Sequence, residues 1–65
     1  MTLGENVKKF REKANMTQRQ LATKVFVSNT AICNIEQDKT PPSLQLAAHI
    51  ANVLGCTVDD LIKEK

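Results

Sequence analysis

The chain has 65 residues, 42% apolar and 25% charged, a balance too apolar for disorder in a length that suits one domain. A domain this small buries only about 60% of its unfolded surface, which leaves little room for a deep catalytic pocket beside a core, so a binding module is expected rather than an enzyme. The net charge of +2 is unevenly spread, because residues 1–40 carry seven Lys or Arg against four Asp or Glu and residues 41–65 carry two against three. A polyanionic partner should therefore face the first two-thirds of the chain.

With two Gly, two Pro and only Phe10 and Phe26 as aromatics, the composition favours helices over a many-turned sheet. Cys33 and Cys56 form no CxxC or Cys/His cluster, which suits a reducing cytosol and no metal. The polar–apolar mixture of the N-terminus does not resemble a signal peptide, and no run of about 18 apolar residues offers a membrane span.

In chain order, Thr2-Leu3-Gly4-Glu5 fits a capping box. Leu3, Val7, Phe10 and Ala14 follow at helical spacing, predicting a helix over about Thr2–Ala14 with Asn15 just beyond its end. Thr17-Gln18-Arg19-Gln20 is a second capping box, opening a helix of barely two turns with Leu21, Ala22 and Val25 inward. Ser28 is the next N-cap, ahead of an apolar stripe of Ala31, Ile32 and Ile35. Only Phe26 and Val27 separate these two helices, so they must cross at a large angle, the helix-turn-helix arrangement.

Asp38-Lys39-Thr40-Pro41-Pro42-Ser43 reads as a loop. The prolines stop one helix and Ser43 caps the next. That fourth helix is expected over about Leu44–Leu54, with Leu44, Ala47, Ile50, Ala51 and Leu54 inward and Gly55 ending it. Thr57-Val58-Asp59-Asp60 opens a last helix bearing Val58, Leu61 and Ile62. The fold class expected is all-α: five short helices around one core, in a single domain over 1–65.

The stretch Thr17-Gln18-Arg19-Gln20-Leu21-Ala22, then Val27-Ser28, Ile32, Ile35-Glu36, Lys39 and Pro42-Ser43-Leu44, resembles the phage-repressor and Cro (Xre-like) helix-turn-helix family. The tail from Leu54 to Ile62 resembles that family's last loop and helix, so the match covers roughly residues 3–62. The resemblance implies a lambda-repressor-like DNA-binding domain whose recognition helix spans about 28–37. By register, Asn29 and Thr30 match positions that meet base edges, Asn34 continues that face one turn on, and Cys33 lies between them. Gln18 matches a position that contacts a phosphate, Lys39, Thr40 and the amide of Ser43 would grip a second phosphate stretch, and Arg19 adds positive charge nearby. Arg11 and Glu36 match a buried ion pair that holds the recognition helix to the first helix.

Side-chain chemistry agrees with this register. An Asn carboxamide offers the donor and acceptor that read adenine N6 and N7, and a Thr can meet a thymine methyl. The helix carries no Arg, the usual reader of guanine, so A·T-favouring contacts are expected. The plainer alternative is that Asn29, Thr30 and Asn34 form only the solvated side of an amphipathic helix. The Arg11–Glu36 pair has a similar alternative, an exposed ion pair worth about 0–1 kcal/mol.

One residue departs from the family. Phe26 stands where Gly is usual, and a left-handed conformation there would cost about 1–2 kcal/mol. Either the turn differs or Phe26 packs on a neighbouring surface. Leu46 and Val53, with Ile50, Thr57 and Val58, are expected to make an apolar surface for a two-fold dimer, extra core being the alternative. His49 reads as a partly exposed structural histidine, Cys56 as a small buried apolar residue, and Cys33 as a thiol whose oxidation would disturb the groove face.

The function expected is a transcriptional regulator of the repressor kind. It would be a cytoplasmic homodimer binding an inverted repeat in double-stranded DNA, with no cofactor, small-molecule ligand or membrane contact. The alternative is a protein-interaction module such as an antitoxin or adaptor.

Overall fold

The computed structural model describes residues 2–62. Its elements are five helices: α1 (Leu3–Lys13), α2 (Gln18–Lys24), α3 (Asn29–Glu36), α4 (Leu44–Leu54) and α5 (Val58–Ile62). Each starts at a capping residue legible in the sequence. Thr2, Thr17, Ser28 and Ser43 all accept a backbone N–H through the side-chain oxygen. The boxes at Thr2 and Thr17 are closed reciprocally by Glu5 and Gln20. Thr57 and Asp60 do the same for α5, with both bonds at 3.1 Å.

The ends of the first four helices share one device. Asn15, Phe26, Asp38 and Gly55 follow α1 to α4 in turn, and all four have positive φ. Beyond each, a backbone N–H reaches back to a carbonyl five residues earlier: Met16 to Arg11, Val27 to Ala22, Lys39 to Asn34 and Cys56 to Ala51. This satisfies carbonyls that the helix end would otherwise leave without donors. Gly55 adopts the conformation freely, whereas Asn15, Phe26 and Asp38 adopt it with a Cβ in the way.

The core draws on all five helices. Val7, Leu21, Ile32, Ile50 and Leu61, one from each, are the largest fully buried side chains. Each helix depends on this packing, since none of these short helices would persist in water without its packed face. Buried Asn6 ties α1 to α5, donating from Nδ2 to the Leu61 carbonyl at 2.8 Å.

Several packing expectations need correction. Leu44 is 78% exposed, because it is the first residue of α4 and precedes the stripe of Ala47, Ile50 and Ala51 that enters the core. Ile62 is likewise exposed at the last described position of α5, and Ala14 is exposed where α1 has already ended. Cys56 is half-buried rather than buried; burial pushes its thiol above the ordinary value, and the charge of Asp60 adds to the push. Ile50 has no exposed surface at all and so cannot belong to an apolar patch. Leu46, Val53 and Val58 pack half-buried against the core and keep part of their surface outside.

Candidate nucleic-acid interface

α3 is anchored from behind and open in front. Ile32 and Ile35 are buried on its inner side, while Asn29 and Thr30 are exposed and Asn34 and Cys33 half-buried. Among the described residues, no side-chain hydrogen bond engages Asn29, Thr30 or Asn34, so their amide and hydroxyl groups are free for an outside partner. Cys33 is the acceptor of a long contact, 3.4 Å from Gln37 Nε2. At eight residues α3 is about 12 Å long, comparable with the width of a DNA major groove.

The expected ion pair is present and buried. Arg11 Nε donates to Glu36 Oε2 at 2.6 Å and Nη2 to Oε1 at 3.2 Å, a two-pronged contact, with side-chain exposures of only 10% and 3%. The third nitrogen, Nη1, donates to the Met16 carbonyl at 2.7 Å, so the guanidinium joins α1, the α1–α2 turn and the end of α3. Pairing with Arg11 offsets the buried Glu36 charge at the end of α3.

Gln18 also has a partner inside the fold. Its Nε2 donates to Glu36 Oε1 at 3.0 Å, so the side chain is half-buried and partly committed to the ion pair. The reason is placement, since Gln18 opens α2 where that helix packs beside α3. A second amide hydrogen is left over. Arg19, Lys39, Thr40 and Ser43 are all exposed; the Ser43 hydroxyl caps α4 by accepting from Leu46 N–H.

Phe26 answers neither alternative posed by the sequence. The turn keeps its left-handed residue, with φ 61°, and the ring is 89% exposed. It borders a shallow depression of about 230 Å³ shared with Lys24, His49, Asn52 and Val53. His49 is exposed there.

Sequence reading passed over one group of contacts. Asp38 accepts from Thr2 Oγ1 at 2.6 Å and from the Gly4 N–H at 3.0 Å, linking the turn after α3 to the start of α1. The signal available was Gly4 itself. A glycine inside a helical pattern costs about 1 kcal/mol against Ala and marks close approach by another backbone.

Comparison with known proteins decides the family. Residues 7–61 match the family described as Helix-turn-helix. The chain belongs to that family. This helix-turn-helix chain is 35% identical over 65 residues to the immunity repressor protein of Bacillus phage phi105, covering 100% of itself and 45% of that repressor. It is 44% identical over 55 residues to an HTH-type transcriptional regulator of Archaeoglobus fulgidus, covering 85% of itself and 78% of that protein. Its fold matches the P22 c2 repressor, solved in complex with synthetic operator 9T, with a TM-score of 0.93 at 31% identity, covering 100% of this chain and 98% of that one. The five-helix, all-α architecture expected from the sequence is thus that of phage-repressor DNA-binding domains.

Proposed function

We propose that this helix-turn-helix regulator binds double-stranded DNA in the cytoplasm as a repressor, with α3 laid in a major groove. The observation carrying the reading is the outer side of α3. Asn29 and Thr30 stand exposed with unengaged polar groups, on a rod whose back is fixed by Ile32, Ile35 and the Arg11–Glu36 pair. Asn29 and Asn34 would read adenine edges and Thr30 a thymine methyl, with Cys33 touching the groove. Gln18, Arg19, Lys39, Thr40 and Ser43 would hold phosphates, each neutralised charge adding about 0.9 to the magnitude of the salt slope. No cofactor, catalytic group or small-molecule ligand enters this mechanism, because occupying a promoter is itself the regulatory act.

A homodimer on an inverted repeat fits the dimensions. The longest extent of the fold is 28 Å, short of the roughly 34 Å between major-groove faces one turn apart, so two half-sites need two copies. Leu46, Val53, Thr57 and Val58 would form the two-fold contact, to which exposed Ile62, one turn on from Val58, adds apolar area.

Titration of labelled DNA against rising salt tests the reading. The Asn29→Ala/Asn34→Ala protein should keep its fold and its salt-dependent, sequence-independent affinity while losing its preference for specific sites. Each lost reader is worth about 1–3 kcal/mol of discrimination. An unchanged preference would remove these residues as readers.

A further inference from the structure

α3 ends between two attachments, of which Arg11–Glu36 is one. The other joins Asp38, two residues beyond α3, to Thr2 and Gly4 at the start of α1. Asp38 turns its carboxylate to the first turn of α1, taking one oxygen to Thr2 Oγ1 and the other to the Gly4 N–H. Thr2 Oγ1 also accepts from Glu5 N–H at 3.2 Å, so the same hydroxyl caps α1 and holds Asp38. At Gly4 the helices approach so closely that a Cβ would lie 2.5 Å from the Ile35 carbonyl oxygen and 2.6 Å from that of Glu36. The carbonyl end of α3 therefore rests on the amide end of α1, an alignment in which the two helix dipoles attract and the Asp38 charge lies at the positive end.

We infer that Asp38 is a positioning residue for DNA reading. With Gly4 and Thr2 it fixes the tilt of the recognition helix at its C-terminal end and aims the Lys39–Thr40 segment. Two points on α1 hold α3. Glu36 is fixed near the C-terminal end of α1 by Arg11, and Asp38 is fixed at the N-terminal end by Thr2 and Gly4. Ile32 and Ile35 seat α3 on the core, and the two attachments act on its C-terminal end. Tied to α1 at places some seven residues apart, that end cannot shift along α1 without breaking one of them. Lys39 follows Asp38 directly and is tied back to Asn34 by its own N–H at 2.9 Å, so the direction in which this segment leaves α3 is set by the residue that Asp38 anchors. Turning the carboxylate toward α1 also takes one negative charge away from the phosphates that Lys39 and Thr40 would meet. The inference rests on α3 being the DNA reader.

The test compares Asp38→Gly with Asp38→Asn in the full chain. Glycine accepts the left-handed backbone of position 38, where φ is 60°, so Asp38→Gly removes the side chain without straining the turn. Asparagine tolerates that backbone and keeps an oxygen for Gly4 and a polar atom for Thr2. Asp38→Gly should speed amide exchange at Gly4, change the residual dipolar couplings of α3 relative to α1, and lower the ratio of specific to non-specific DNA affinity about tenfold, the scale of one weakened base contact. Asp38→Asn should restore that ratio to within about threefold of the unsubstituted protein. A merely structural role would move the melting temperature but leave the ratio intact, and that result would overturn the inference. So would an Asn variant as impaired as the Gly one, since charge rather than position would then be acting. If the unsubstituted chain shows no site preference at all, the DNA-reading assignment itself fails and this inference falls with it.

Discussion

Phe26, ahead of α3, and Asp38, beyond its end, have nearly the same φ, 61° and 60°. Both close a helix through the same pair of backward hydrogen bonds. Their side chains differ in what they return for the strain. Asp38 gains two hydrogen bonds to α1 and a place against Gly4, whereas the Phe26 ring is 89% exposed at the rim of a shallow depression. The N-terminal end of α3 is consequently held by its Ser28 cap and by Ile32 beneath it, while the C-terminal end is tied to α1 at two places. A left-handed residue is thus no sign of a special site by itself; what its side chain meets decides whether the strain is offset.

The largest effect should come from the tied end. Arg11→Ala leaves the Glu36 carboxylate, 3% exposed, without its cation, and should cost about 3–5 kcal/mol in a denaturant titration. A loss under about 1 kcal/mol would class the pair with exposed ones and weaken the contrast between the two ends. Next is Gly4→Ala. Ala is the better helix former, yet the added methyl meets two backbone carbonyls that cannot swing aside, so a net loss of about 1–3 kcal/mol is expected. A gain in melting temperature would show that α1 and α3 can separate freely.

The smallest effect has the opposite sign. Phe26→Gly relieves a left-handed strain of about 1–2 kcal/mol, part of which returns as the greater freedom of glycine in the unfolded chain, about 0.5–1 kcal/mol. Because the ring is so exposed, little packing is lost, and a net gain of about 0.5–1 kcal/mol should appear as a higher denaturation midpoint. Destabilisation would mean that the ring contributes contacts against Lys24, His49 or Val53 that its exposure does not suggest.

The helices and the outward placement of Asn29 and Thr30 were legible because their signals are local. Capping residues at Thr2, Thr17, Ser28 and Ser43 and apolar spacing within single helices need no knowledge of the neighbours. The Arg11–Glu36 contact lies beyond local rules, since it joins residues 25 apart, and only family resemblance supplied it. Asp38 and Gly4 had no such help. Their contacts reach across 34 residues, and nothing in a loop aspartate shows which helix end it will meet. Gln18 is the same lesson in milder form, because its amide partner Glu36 sits 18 residues away. Leu44 and Ile50 show the limit of a helical stripe. Spacing assigns a side to each residue but not whether the helix end has left the core or which of two sides is wholly covered.

Selection of bound sequences from random double-stranded DNA, run in parallel with the unsubstituted chain and with Asn29→Ala/Asn34→Ala, tests most directly whether the outer side of α3 is the reader. The unsubstituted protein should enrich an A·T-favouring inverted repeat with half-sites about one helical turn apart, and the double variant should lose that motif while still recovering DNA at low salt. Recovery of one and the same motif by both proteins would contradict the account.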